Sequence, residues 1–130
     1  MLTVLPASRA WLTIAAISGA ITVGLGAFGS HGLRGTVTPE MLQVWRTAVE
    51  YQFFHTVSLL ACALYPNARR VVVTMWLWLA GVVLFSGSLY ALVLTGYRVL
   101  GMITPLGGVA FIIGWLALAW STWQPARHEQ

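Results

Sequence analysis

The sequence has no lysine and no aspartate, and only one cysteine among its 130 residues. Charged residues make up 8% of the chain, whereas 58% is hydrophobic. A water-soluble domain carries roughly 25% charged and 45–50% apolar residues, so this chain has too little charge to cover a surface facing water. A soluble globular domain is excluded, and lipid must cover much of the exterior. The lone Cys62 excludes an internal disulfide and lies in an apolar stretch where a thiol stays protonated and inert.

Catalytic patterns are also missing. There is no His-Glu-x-x-His, no Ser/His/Asp set, no phosphate-binding Walker loop and no paired aspartates, so no enzyme is expected and no catalytic residue is assigned. Gly24-x-Gly26 and Gly26-x-x-Gly29 echo a dinucleotide loop, but no strand precedes them. No metal or cofactor is expected. The seven arginines against three glutamates give a net charge of +4. They are scattered without clusters or interleaved aromatics, which points to membrane orientation and headgroup contact, with no nucleic acid among the partners.

What is present is hydrophobic length. Four stretches, about 11–30, 45–64, 71–95 and 102–123, can each cross ~30 Å of hydrocarbon as a helix of about 20 residues. Helices satisfy their own backbone groups where water is absent. The expected fold is therefore an all-α integral membrane four-helix bundle, one domain over 1–130, with short loops. The breaks are polar or helix-breaking: His31 to Pro39, Pro66-Asn67, and Gly96 to Gly101. Thr38-Pro39-Glu40 has the form of an N-cap, a first-turn proline and a first-turn acid, so the second helix is expected to start near Pro39. The first span is too long for a signal-peptide core and no Ala-x-Ala follows, so it is expected to be retained.

Arg9, Arg69, Arg70 and Arg127 share one side, against Arg34 and Arg98, which predicts both termini on the same, cytoplasmic side. Trp11, Trp45, Trp120 and Trp123 fall near span ends, where interfacial tryptophans are expected. Trp76, Trp78 and Trp115 are expected deeper, against neighbouring helices or lipid.

Advancing 100° per residue from Ala16 gathers Gly19, Ala20, Val23, Ala27, Ser30 and His31 on one side of the first helix. Small residues let helices approach closely, so Ala16, Ala20, Gly24 and Ala27 are expected to pack, as are Gly87, Gly107 and Gly108 later in the chain. The second helix is the polar one. Arg46 and Glu50, four apart, share one face; Tyr51, His55, Ser58 and Cys62 form another stripe, with Gln52 beside it. A charge at mid-membrane costs ~2.5–3.5 kcal/mol, so the expectation is an Arg46–Glu50 ion pair or a pair across the bundle to His31 or a polar group of another helix. Together His31, Arg46, Glu50, Tyr51, Gln52 and His55 form the candidate polar cluster. Ser86-Gly87-Ser88 and Thr104-Pro105-Leu106-Gly107-Gly108 place further small and hydroxyl groups in the third and fourth spans.

The segments Gly26-Ala-Phe-Gly-Ser-His-Gly-Leu33, Thr47-Ala-Val-Glu-Tyr-Gln-Phe-Phe-His55, Leu84-Phe-Ser-Gly-Ser-Leu-Tyr90 and Ile103-Thr-Pro-Leu-Gly-Gly108 with Gly114-Trp115 resemble, in order, the domain of unknown function 423 family, related to the eukaryotic transmembrane protein 256 family. The resemblance runs from about Ala16 to Trp120. It implies a small multi-pass protein of the bacterial inner membrane with no established activity. Ser30 stands where that family usually has Ala, and Glu50 where Gln is common.

Three functions fit these residues. The first is a structural or accessory protein that packs with itself, as a homo-oligomer, or with a larger membrane complex. The second is a lipid, small-molecule or ion site around His31, Glu50, Gln52 and His55. The third is haem held between His31 and His55, histidines that aromatic and polar neighbours would equally satisfy.

Overall fold

The computed structural model describes residues 6–124. All regular elements among them are helical. Helix α1 spans Pro6–His31 and α2 spans Pro39–Ala63. A 3-10 turn, Ala68–Val71, leads into α3 (Val72–Gly81), a π-helical segment (Val82–Ser86) and α4 (Gly87–Thr95), which together make one continuous third helix. A second 3-10 turn, Arg98–Met102, precedes α5 (Thr104–Trp123). Residues 8–31, 68–95 and 98–123 are each long and apolar enough to cross a membrane. At 25 residues α2 has the length to cross as well, but Glu40, Arg46, Glu50, Gln52 and His55 make it the least apolar of the four.

Local chemistry sets the helix ends. Thr38 is extended and its hydroxyl accepts from the Met41 N–H at 3.2 Å, with Pro39 and Glu40 in the first turn of α2. Gly96 closes α4 in a left-handed conformation (φ +75°), its N–H returning to the Leu92 carbonyl at 2.8 Å. A side chain would be strained there, so glycine supplies the stop.

Helix α1 packs on α2, α2 on the third helix, and α5 on α3. The α1–α2 pair is antiparallel, with Gly29 against Trp45, Gly26 against Val49 and Gly19 against Thr56. At one end of the bundle Trp11 meets Trp76 edge-on, ring centres 5.0 Å apart, and the Arg70 guanidinium donates to the Gln124 carbonyl at 2.9 Å. The first and last described helices therefore begin and end on the same side. Arg127 lies outside the described residues.

The packed face of α1 is not the one expected. Ala16, Ala20, Gly24 and Ala27 are exposed, and nothing lies within 4 Å of a Cβ placed on Gly24. Instead Trp11, Ala15, Thr22 and Gly29 are buried, with Ser18 half-buried on the same stripe. The reason is that α2 offers α1 polar partners and one large ring. Ser18 hydrogen-bonds Thr56 at 2.6 Å, and Trp45 fills the space that Gly29 leaves. The tryptophan expectation is corrected at two positions. Trp11 and Trp45 are buried, and Trp45 donates to the Leu25 carbonyl at 2.8 Å, which makes it an anchor between helices. Trp120 and Trp123 are exposed at the end of α5, while Trp78 is fully buried.

A Cβ on Gly107 would run into the Phe85 backbone, while one on Gly108 would make only ordinary contact, 3.9 Å from the Phe85 ring. A Cβ on Gly87 would meet only the Val82 carbonyl, at 4.0 Å, so Gly87 is no close-approach point. That role falls to Gly81, where a Cβ would meet Phe111, and to Gly114, where a Cβ would lie 2.6 Å from the Trp78 ring. The π-helical segment sits at this contact. Its extra residue aims Ser86 at the Ala48 carbonyl, 2.7 Å away, and presses Phe85 onto α5.

Candidate membrane-facing site

Two sets of polar side chains occupy α2, and the structure separates them. Inward, Tyr90 donates to Gln52 Oε1 at 2.7 Å, and Gln52 Nε2 reaches Ser18 Oγ at 3.4 Å. Ser18 is bonded to Thr56, and Thr22 donates to the Ser18 carbonyl at 2.7 Å. These groups tie α1, α2 and α4 together. Buried polar groups left bare cost far more than satisfied ones contribute, so this network fixes the relative rotation of three helices.

His55 is satisfied on both ring nitrogens. Its Nδ1 lies 2.8 Å from the Tyr51 carbonyl, which can only accept, so Nδ1 carries the proton. Nε2 then accepts from the Trp115 indole N–H at 3.2 Å. The ring stacks on Phe111, centroids 3.6 Å apart and planes within 8°. This is a neutral, structural histidine joining α2 to α5. Neither nitrogen is left to ligate an iron.

The candidate cluster is therefore not one cluster. His31 is exposed at the end of α1. From the α1–α2 register it lies level with residues 43–44, about 17 Å along the bundle from His55, so the two histidines do not converge. Arg46 and Glu50 are exposed on the outer face of α2. Among the described residues they form no ion pair with each other or with any other group, which corrects both expected pairings. Arginine ahead of glutamate is the poorer order for an i, i+4 pair, and neither side chain points into the bundle.

Between α2 and α5 the helices splay and leave a groove of about 720 Å³. Tyr51, His55, Phe85 and Phe111 form its floor; Phe54 and Trp115 close one end, ring centres 5.8 Å apart. Glu50 stands at its edge, and it also borders a smaller hollow beside Gly26, Gly29 and Arg46. An apolar, aromatic-floored groove with one carboxylate at its rim can hold an apolar chain or side chain and accept a hydrogen bond at the edge. It has no nucleophile and base in hydrogen-bond reach, and no group of His, Cys, Asp and Glu among the described residues is arranged to hold a metal.

Residues 25–108, which carry α2, the third helix and most of the groove floor, match the family described as Protein of unknown function (DUF423). The chain belongs to this family. The UPF0382 membrane protein YwdK of Bacillus subtilis is 46% identical over 114 residues, covering 85% of this chain and 93% of that protein. A UPF0382 membrane protein of Haemophilus influenzae is 43% identical over 116 residues, covering 88% and 94%. One from Staphylococcus epidermidis is 42% identical over 116 residues, covering 88% and 95%. No solved structure matches the chain. This DUF423 chain is thus a small multi-pass membrane protein of a family without an assigned activity.

The groove wall on α5 was not anticipated in this DUF423 chain. Its signal was present in sequence, since Gly108, Phe111, Ile112 and Trp115 lie at helical spacing and end in an indole, a residue that needs a partner when covered. Which helix would supply that partner was not legible.

Proposed function

We propose that the protein is a non-catalytic accessory component of the bacterial inner membrane that works by packing against other membrane proteins or against itself. One observation carries this reading. Apart from the buried Trp78 indole N–H, the polar side chains joining the helices inside the bundle satisfy one another, whereas the outer face of α2 bears two unpaired charges beside an open apolar groove. The inward polar side chains of α2 are used in holding the fold, and its unpaired charges face outward. Charges directed at lipid are costly and mark contact or function. The placement of α1's start and α5's end at one end of the bundle supports termini on a common side, and the arginine bias supports that side being cytoplasmic. A reporter fused after Gln130 is expected to be active only in its cytoplasmic form.

Cross-linking in native membranes, followed by sizing in mild detergent, tests the assembly. A species larger than the monomer is expected. A strictly monomeric protein with no cross-linked partner overturns the reading.

A second reading rests on the groove, whose aromatic floor and size suit an acyl chain or a small apolar molecule. Trp115 reports it. Quenching of Trp115 by brominated acyl chains, in variants lacking the exposed Trp76, Trp120 and Trp123, supports that occupant, and a protected Trp115 counts against it.

A further inference from the structure

Helix α2 carries two seams. The inner one, Trp45, Ala48, Gln52, His55, Leu59 and Cys62, runs at 3-4-3-4-3 spacing and is buried throughout. The outer one, Arg46, Glu50, Phe53, Val57, Leu60 and Leu64, runs at 4-3-4-3-4 spacing and is exposed throughout. Both keep the 3.5-residue period that suits a helix packed alongside another. The outer seam therefore has the spacing that a neighbouring helix would match.

Its four apolar members are at ease in lipid. The two charged ones are not. The α1–α2 register places Arg46 level with Gly29, close to the polar end of α1, where a long side chain can reach the interface. Glu50 falls level with Leu25, about 9 Å deeper than His31, and its side chain is too short to reach back. It meets no cation among the described residues.

We infer that two copies of the chain pack side by side through the outer seam of α2, about a two-fold axis along the membrane normal, with Arg46 of each copy paired to Glu50 of the other. The inference rests on the reading of the protein as a component that assembles. In that arrangement both α2 helices run the same way, so equal-numbered residues share a depth. Arg46 and Glu50 are then offset by about 6 Å along the axis, within the reach of an arginine. A two-fold axis makes every contact twice, so one self-complementary pair of charges yields two ion pairs and leaves none facing lipid. Phe53 and Val57 continue the contact towards the other side of the membrane.

The test uses full-length chains in native membranes. Val57→Cys, in a Cys62→Ser background, is cross-linked with a mild oxidant. A cross-linked dimer is expected. Adding Arg46→Glu or Glu50→Arg alone places like charges across the seam and is expected to lower cross-linking at least tenfold. Co-expressing the Arg46→Glu chain with a differently tagged Glu50→Arg chain is expected to restore it, now as the mixed dimer. Cross-linking that ignores both reversals overturns the inference. So does rescue only when both reversals sit in one chain, which marks an intrahelical pair. Step-counting of single fluorescent wild-type molecules diluted into liposomes guards against variants that fail to fold. Two bleaching steps support the dimer and one step overturns it. A wild type that bleaches in one step but is still cross-linked to other membrane proteins sinks this dimer and leaves the broader reading standing. A wild type with neither partner sinks both.

Discussion

His55 lies face to face on Phe111, ring centres 3.6 Å apart, while its two nitrogens join the Tyr51 carbonyl and the Trp115 indole. One side chain thus links α2 to α5 by stacking and by hydrogen bonds at once. The same geometry closes the floor of the groove, so the joint and the lipid-facing hollow are built from the same residues.

Replacing His55 by Ala removes the stacked ring and leaves the Trp115 N–H without its acceptor. A loss of about 2–4 kcal/mol of stability is expected, from cavity formation and the orphaned donor together. His55→Phe keeps the ring and is expected to lose less. Thermal unfolding in detergent, followed by near-ultraviolet circular dichroism, ranks the two; equal losses would mean that stacking contributes nothing.

Gly29 and Gly24 belong to the same helix but to opposite faces. A Cβ on Gly29 would sit 2.5 Å from Cδ1 of Trp45, a ring that is buried and tethered to the Leu25 carbonyl. Gly29→Ala is therefore expected to destabilise by about 1–3 kcal/mol through overpacking. Gly24→Ala meets open space and is expected to be neutral or to stabilise by up to about 1 kcal/mol through helix propensity. Thermal stability measured side by side on the two variants checks the assignment, and the opposite ranking would place the packed face where Ala16 and Ala20 lie.

Tyr90 and Gln52 are coupled through a 2.7 Å hydrogen bond between the third helix and α2. Tyr90→Phe is expected to cost about 1–2 kcal/mol, because the Gln52 oxygen loses its donor in a buried site. In combination with Gln52→Leu the two losses should fall short of additive by at least about 0.5 kcal/mol. A double-mutant cycle on unfolding in detergent measures the shortfall. Strict additivity would show that the two side chains act independently.

Exposed and buried tryptophans are predicted to respond differently to the bilayer. Trp123→Phe and Trp120→Phe should leave thermal stability within about 0.5 kcal/mol of the parent, since both rings lie on the surface. Trp45→Phe removes the bond to Leu25 and leaves a gap beside Gly29, so a loss of about 2–3 kcal/mol is expected. Comparable losses in all three would contradict the placement of Trp45 in the core.

Much of α1 shows where reading residues in order stops being sufficient. Its small residues fall on two stripes, Ala16/Ala20/Gly24/Ala27 and Ala15/Ser18/Thr22/Gly29, and both satisfy the rule that small residues permit close packing. Only the second meets partners suited to it, Thr56 and Gln52 for its hydroxyl and Trp45 for its glycine. On α2 the expected stripe of Tyr51, His55, Ser58 and Cys62 is split, with His55 and Cys62 buried and Tyr51 exposed. The spacing of Arg46 and Glu50 suggested a pair that the structure does not form. Spacing establishes that two side chains are neighbours on a helix; it does not establish which way each is turned.

By itself the sequence determined that this is an all-helical membrane protein. Scarce charge, long apolar runs and the Thr38-Pro39, Gly96 and Pro66-Asn67 breaks each act over a few residues, through solvation and backbone geometry. Tertiary structure alone decided which faces are inside. It turned Ser18, Gln52, His55 and Trp45 inward, Ala16, Arg46 and Glu50 outward, and opened the groove between α2 and α5. Those outcomes depend on pairs of residues up to 60 positions apart, His55 and Trp115 among them, whose fit exists only once the helices meet.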